Sequence, residues 1–161
     1  MKVMLPYSYS TSSITYPCYV QPKLSGIRAL YQVGHFQMGD ETSPTLDHLT
    51  EPLKKIFPES IILDGVLVIG ADPELAEYHV FDVVNFNRSF ESRFMTPASI
   101  LTDTQHLHKA KVVGTHRLLS VKLINHFYDK WLDAGYDGLI YRLNGCPYIP
   151  GKSKNLLYRQ K

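Results

Sequence analysis

The stretch Gln21-Pro22-Lys23-Leu24-Ser25-Gly26-Ile27-Arg28 places a lysine two residues before a Ser-Gly pair and an arginine two residues after it. Apolar and aromatic residues flank the stretch on both sides. The pattern predicts a strand, a tight turn at Gly26 and a second strand, because glycine permits positive φ and lets a ligand approach the backbone. Lys23 would then lie at the mouth of a pocket beside Arg28. A lysine in such a place serves as an amine nucleophile or binds phosphate, and a solvated turn lysine is the alternative.

Length and composition are typical of one globular domain with a real core. The 161 residues are 44% apolar and 20% charged, and the net charge of +2 permits contact with nucleic acid without indicating it. The two cysteines, Cys18 and Cys146, are too few for a disulfide scaffold, so we expect a soluble monomer in a reducing, cytoplasmic setting. No apolar run approaches the ~18 residues that span a bilayer, so we expect no membrane partner.

Hydrophobic periodicity and turn residues divide the rest of the chain into short strands and helices. Leu46–Ile56 has helical spacing and stops at Pro58, and Ile124–Leu132 is an amphipathic helix that ends at Gly135. The remaining predictions are strand-breaking turns at Asp64-Gly65 and Asp137-Gly138, a strand at Tyr78–Val84, a helix start at Thr96-Pro97 and a strand at Thr115–Leu123. Without βαβ regularity, the predicted fold is α+β: two packed, mainly antiparallel sheets flanked by helices, with a nucleotide cleft between them.

Five segments follow one another in a recognisable order: Lys23–Arg28, Leu63–Leu67, Val80–Val84, Tyr136–Arg142 and Gly151–Lys161. They resemble, in turn, the Lys-x-Asp-Gly-x-Arg, Asp-Gly-Glu, Phe-Asp, Glu-Gly-Leu-(Ile/Val)-x-(Lys/Arg) and closing basic motifs of one family. That family is the adenylation (nucleotidyltransferase) domain of small phage or viral ATP-dependent DNA ligases. The resemblance implies the ligase and mRNA-capping nucleotidyltransferase fold as a single domain over residues 1–161, without an OB-fold.

The resemblance also implies a reaction. Lys23 would attack the α-phosphorus of ATP and form a lysyl–AMP phosphoramide, and pyrophosphate would leave. AMP would then pass to a DNA 5′-phosphate, and a 3′-hydroxyl would seal the nick. Mg²⁺ and basic side chains would neutralise the charge that builds on the phosphates.

Site residues follow from the same resemblance. Phe81 would stack on adenine unless it is a core residue, and Gln21 would meet the adenine edge. Asp137 would bind the metal ion unless it is only a turn residue. The remaining nucleotide-binding predictions are Arg28 near the ribose and the DNA phosphate, Asp64 beside the Lys23 loop, and the basic residues Arg142, Lys152, Arg159 and Lys161, for which a solvated face is the alternative.

Departures from the family motifs fall on the chemical residues. Ser25 stands at the motif aspartate and Val66 at the glutamate of Asp-Gly-Glu, while Asp137 replaces a glutamate. Tyr158 and Gln160 stand at the closing lysines, so Arg159 and Lys161 fall on the opposite strand face. We therefore expect impaired nick-sealing chemistry and weak, salt-sensitive binding to nicked DNA. A pseudoenzyme and a trimmed, redesigned ligase domain both fit this pattern, and an inactive scaffold that binds a nucleotide or another small ligand is the alternative function.

Overall fold

The structure is a computed structural model that describes residues 1–8, 14–39, 41–42 and 46–160. The strands are β1 (Met4–Ser8), β2 (Cys18–Pro22), β3 (Ile27–Gln32), β4 (His35–Met38), β5 (Glu41–Thr42), β6 (Leu63–Val68), β7 (Glu77–Val83), β8 (Ala110–Val112), β9 (His116–Leu118), β10 (Gly138–Leu143) and β11 (Gly151–Gln160). The α-helices are α1 (Asp47–Ile56), α2 (Phe90–Thr104) and α3 (Lys122–Asp133). None of these helices combines the length and hydropathy that a membrane crossing needs.

The first of two compact units comprises Met1–Ser25, Phe86–Glu91 and Val113–Lys161 and is built on a five-stranded sheet. Its strands lie in the order β1, β11, β10, β2, β9, and all neighbours are antiparallel except β1 and β11. Alternate residues of the central strands face α3, as the two-residue period of a strand requires. The core against α3 consists of Cys18, Val20, Leu118, Ile124, Trp131, Leu139, Tyr141 and Leu157.

The helix predicted at Ile124–Leu132 is confirmed as α3, but the strand predicted at Thr115–Leu123 is only partly present. The strand β9 has three residues, and α3 already begins at Lys122. The reason is that Ile124 and Trp131 are buried on one face of the helix, which outweighs the strand propensity of the preceding apolar residues.

The second unit comprises Gly26–Asn85 and Ser92–Val112 and is built on a six-stranded sheet. Its strands lie in the order β5, β4, β3, β6, β7, β8, and the pair β7–β8 is the parallel one. The helix predicted at Leu46–Ile56 is confirmed as α1, which buries Leu49 and Leu53. The predicted α+β class with mainly antiparallel sheets is confirmed in both units.

Gly65 does not form the predicted turn, because Asp64 and Gly65 lie inside β6, where the ladder to β7 shifts register between them. The glycine is needed for packing instead. A Cβ at Gly65 would come within 2.7 Å of the Tyr78 ring, which is fully buried. The Tyr78 hydroxyl lies 3.0 Å from the carbonyl oxygens of Ala29 and Leu63 and ties β3 and β6 to β7. A strand glycine of this kind marks a close approach.

The two strands predicted around the turn at Gly26 are present as β2 and β3, and the φ of Gly26 is +145°. They do not pair with each other, because β2 belongs to the five-stranded sheet and β3 to the six-stranded sheet. One further prediction is corrected by the structure. Thr96-Pro97 does not begin a helix, since Pro97 lies within α2. The buried side chains of Phe94 and Leu101 hold that helix on both sides of the proline.

Candidate functional site

Lys23 is fixed beside Asp137 by the backbone of the five-stranded unit. The amide N–H of Lys23 donates to the Gly138 carbonyl at 2.9 Å, and the amide N–H of Asp137 donates to the Lys23 carbonyl at 3.0 Å. These bonds extend the β2–β10 ladder by one step beyond the pair Pro22–Leu139. As a result the Lys23 ammonium lies 3.8 Å from Asp137 Oδ2, with 26% of the lysine and 41% of the aspartate side chain exposed.

Ser25 completes this cluster. Its hydroxyl donates to the same oxygen, Asp137 Oδ2, at 2.5 Å. The approach of the two segments depends on Gly138, whose φ is +142°. A side chain at that position would overlap the Arg159 carbonyl oxygen on the neighbouring strand. The Asp-Gly pair predicted from the sequence therefore serves to bring a carboxylate to the lysine.

Gln21 and Arg142 face away from α3 on the same sheet and are bonded to each other. Arg142 Nε donates to Gln21 Oε1 at 2.6 Å, and Gln21 Nε2 donates to the Thr115 hydroxyl at 2.9 Å. The guanidinium of Arg142 also lies 4.8 Å from the centre of the Phe90 ring. Gln21 is 1% exposed and Arg142 3% exposed, so neither belongs to a solvated face.

The six-stranded unit holds a second polar group around Arg28. Its guanidinium makes two hydrogen bonds to Asp64, with Nε 2.8 Å from Oδ1 and the terminal nitrogen 2.6 Å from Oδ2. The same guanidinium lies 4.7 Å from the centre of the Phe81 ring. Asp64 is fully buried, whereas the Arg28 side chain is 27% exposed. Asp64 thus holds Arg28 against Phe81, in the bidentate geometry that suits an arginine and a carboxylate.

Neither a protein-family model nor a curated protein sequence matches this chain. Solved structures do match. The Chlorella virus DNA ligase-adenylate superposes with a TM-score of 0.79 at 19% identity, over 99% of this chain and 67% of that one. The bacteriophage T7 ATP-dependent DNA ligase in complex with ATP gives 0.73 at 11% identity, over 99% and 68%.

The ligase domain of LigD from M. tuberculosis gives a TM-score of 0.75 at 15% identity, over 99% of this chain and 59% of that one. This chain has the fold of an ATP-dependent DNA ligase nucleotidyltransferase domain. It spans 59 to 68% of the last two ligases, and the identities are low enough that the likeness establishes the fold alone.

Within this ligase fold, the basic residues predicted from the sequence are dispersed. Lys152 is exposed, with its ammonium 5.6 Å from the centre of the Tyr7 ring. Arg159 packs on α3, where its guanidinium lies 3.8 Å from the Tyr128 ring centre and donates to Asn125 Oδ1 at 3.0 Å. Arg159 is therefore on the sheet face opposite Gln21. Lys161 lies outside the described residues.

The predicted metal ligand, Asp137, has one oxygen engaged by Ser25. Among the described residues, no group of three or more His, Cys, Asp and Glu side chains could hold a metal ion. Mg²⁺ is commonly held by one or two carboxylates together with the phosphates of its nucleotide. A single, partly exposed carboxylate at Asp137 fits that mode and does not fit an ion held by the protein alone.

Sequence reasoning missed the ion pair between Asp82 and Arg93. The arginine donates to both carboxylate oxygens, at 2.7 and 2.9 Å, and Asp82 Oδ1 also accepts the Val83 amide N–H at 2.7 Å. Both side chains are buried, so the pair holds α2 against β7. The available signal for this pair was the aspartate of the Phe-Asp segment together with an arginine in the helix that follows it. The Thr115 hydroxyl, which holds Gln21, carried no signal in the sequence.

Proposed function

We propose that this chain is an adenylation domain that transfers AMP from ATP to Lys23, at a lower rate than an intact ligase. The observation that carries the proposal is the position of Lys23. Its amine is held beside a carboxylate by two backbone hydrogen bonds, in a fold shared with a protein crystallised as a ligase-adenylate.

The Lys23 ammonium first gives a proton to water, and the neutral amine then attacks the α-phosphorus. A P–N bond forms as the bond to the bridging oxygen of the β-phosphate breaks. Pyrophosphate leaves, and the nitrogen gives its second proton to water. Asp137 would hold Mg²⁺ that arrives with the nucleotide, and the ion would neutralise charge on the phosphates. A lysine serves as nucleophile in this chemistry because its amine is strongly nucleophilic once uncharged.

In the six-stranded unit, we propose that Phe81 contacts the adenine and Arg28 the ribose. Two observations support this proposal. The Phe81 ring is half-buried, and the two hydrogen bonds to Asp64 fix the orientation of the Arg28 guanidinium. Asp64 itself acts through Arg28, since both of its oxygens are engaged. The proposed role of Gln21 changes from an adenine contact to a support for Arg142, because its side chain is buried and bonded at both ends.

The low rate follows from two substitutions. Val66 is buried and offers no ligand where the family motif has a glutamate. Ser25 supplies a hydroxyl in place of the motif carboxylate, so the charge available to organise a metal ion is reduced. These observations also favour the second candidate, a scaffold that binds nucleotide without transferring AMP.

Intact mass distinguishes the two candidates. The chain is incubated with ATP and Mg²⁺, with Lys23→Ala as the matched control. Adenylation predicts the mass of AMP on the chain and none on the variant. A nucleotide-binding scaffold predicts no added mass, together with a rise in melting temperature that depends on ATP concentration.

Nicked DNA is proposed as a weak partner. The net charge is only +2, and Arg159 is directed to α3, which leaves exposed lysines such as Lys152 and Lys154 for phosphate contacts. Such contacts weaken as salt rises, because the counterions that binding releases from the DNA gain less entropy in a more concentrated salt solution. Fluorescence anisotropy with a labelled nicked duplex is expected to show micromolar or weaker binding that disappears as salt is raised. Tight binding at high salt would contradict this.

A further inference from the structure

Both Ser25 and Asp137 depart from the family motifs, and Ser25 is the departure that replaces a carboxylate with a hydroxyl. Its hydroxyl donates to Asp137 Oδ2, and the Lys23 ammonium lies 3.8 Å from that same oxygen. One oxygen of the carboxylate therefore faces both the serine and the lysine. The other oxygen, Oδ1, accepts no hydrogen bond from the described residues, and the side chain is 41% exposed.

A carboxylate on a single Cβ rotates about χ2 unless something holds it, since this torsion has broad wells. The backbone bonds between Lys23 and the Asp137–Gly138 pair fix the two Cα positions but not this rotation. Lys23 alone is a poor anchor, because 3.8 Å is an ion-pair distance and too long for a hydrogen bond. The hydroxyl of Ser25, at 2.5 Å, supplies a directional bond.

We infer that Ser25 is a positioning residue that fixes the rotation of the Asp137 carboxylate, so that Oδ2 holds the Lys23 amine while Oδ1 stays open to solvent. The inference rests on the proposed function, which makes Lys23 the nucleophile and Asp137 the partner of the incoming metal–nucleotide complex. An aspartate at position 25 could not do this, because an ionised carboxylate has no proton to donate to Asp137.

Two variants separate this role from a purely structural one. Ser25→Ala removes the hydroxyl, and Ser25→Thr keeps it. Because Ser25 is exposed and buries little, neither change is expected to alter the melting temperature by more than the scatter for surface substitutions. The loss is expected in the rate of the chemical step, since a freely rotating carboxylate holds the amine in the reactive position for less of the time.

The experiment measures single-turnover lysyl–AMP formation by intact mass across ATP concentrations. Ser25→Ala is expected to lower the rate at saturating ATP by about tenfold and to leave the half-saturating ATP concentration unchanged. Ser25→Thr is expected to restore most of the rate. An unchanged rate in Ser25→Ala, or an equal loss in both variants, overturns the inference while adenylation by the unmodified chain still supports the proposed function.

A second measurement needs no activity. Crystal structures of the unmodified chain and of Ser25→Ala give the orientation of the Asp137 carboxylate directly. The unmodified chain is expected to show one orientation with Oδ2 bonded to the Ser25 hydroxyl, and Ser25→Ala is expected to show a rotated carboxylate or several orientations. No contact in the unmodified chain, or the same single orientation in both structures, overturns the inference. If the contact is present and the chain takes up no AMP, the hydrogen bond stands and the proposed function fails.

Discussion

Replacing Asp64 with asparagine tests how Arg28 is held. The carboxylate is fully buried and accepts two charge-assisted hydrogen bonds from the guanidinium. Asparagine keeps the shape and one acceptor oxygen, but its NH₂ group faces a second donor. One bond of roughly 1.5–3 kcal/mol is lost and the other loses its charge assistance. Because Arg28 is partly exposed, water takes over some of these contacts, so we expect a loss of about 2–3 kcal/mol in the free energy of unfolding.

The matched comparison is Asp82→Asn, in which the partner arginine is buried as well and the carboxylate also accepts a backbone N–H. Breaking that pair is expected to cost about 4 kcal/mol. Urea unfolding followed by circular dichroism gives both values, and Arg28→Met completes a double-mutant cycle for the Asp64 pair. Equal losses for the two asparagine variants, or no coupling between Arg28 and Asp64, would show that Asp64 does not hold Arg28 as described.

Three further predictions concern stability and base preference. Val33 has a φ of +52°, which is unfavourable for a β-branched residue, so Val33→Asn is expected to raise the free energy of unfolding by about 1 kcal/mol in the same urea assay. Burial lowers the pKa of His108, whose Nδ1 accepts the Ala110 amide N–H, so stability is retained above pH ~6.5 and lost below it. In thermal melts between pH 5 and 7, His108→Gln is expected to make the melting temperature depend less steeply on pH. The pH range is chosen around the ordinary histidine pKa of about 6.5. Gln21→Met is expected to leave the ratio of ATP to GTP affinity unchanged, since the buried amide is bonded at both ends, and a selective loss of ATP binding would contradict this.

Local pattern was sufficient for α1, α3 and the strand faces, whereas α2 begins at Phe90 and continues through the Pro97 that was predicted to start it. The apolar spacing of α1 and α3 is strong, so both helices are where the periodicity predicts them. Strand parity was equally reliable. It predicted that Arg159 lies on the strand face opposite the closing motif positions. In the structure the Arg159 side chain packs against α3, on the sheet face opposite Gln21.

Long-range pairing was less accessible from the sequence. The ion pair of Lys23 with Asp137 was not predicted, and no spacing rule produces it. The two hydrogen bonds from Arg28 to Asp64 join the adjacent strands β3 and β6. They depend on the register of these strands, and that register cannot be read from the sequence. Gly65 was assigned to a turn because a turn and a close packing contact both call for glycine, and only the position of the Tyr78 ring distinguishes them.

The position of the adduct shows directly whether the Lys23 amine itself accepts AMP. After incubation with ATP and Mg²⁺, proteolysis and tandem mass spectrometry locate the adduct, and mild acid distinguishes an acid-labile P–N bond from an acid-stable phosphate ester. We expect a single acid-labile adduct on Lys23 that returns to free lysine when pyrophosphate is added. An adduct on another residue, an acid-stable adduct, or no adduct at saturating ATP would contradict it.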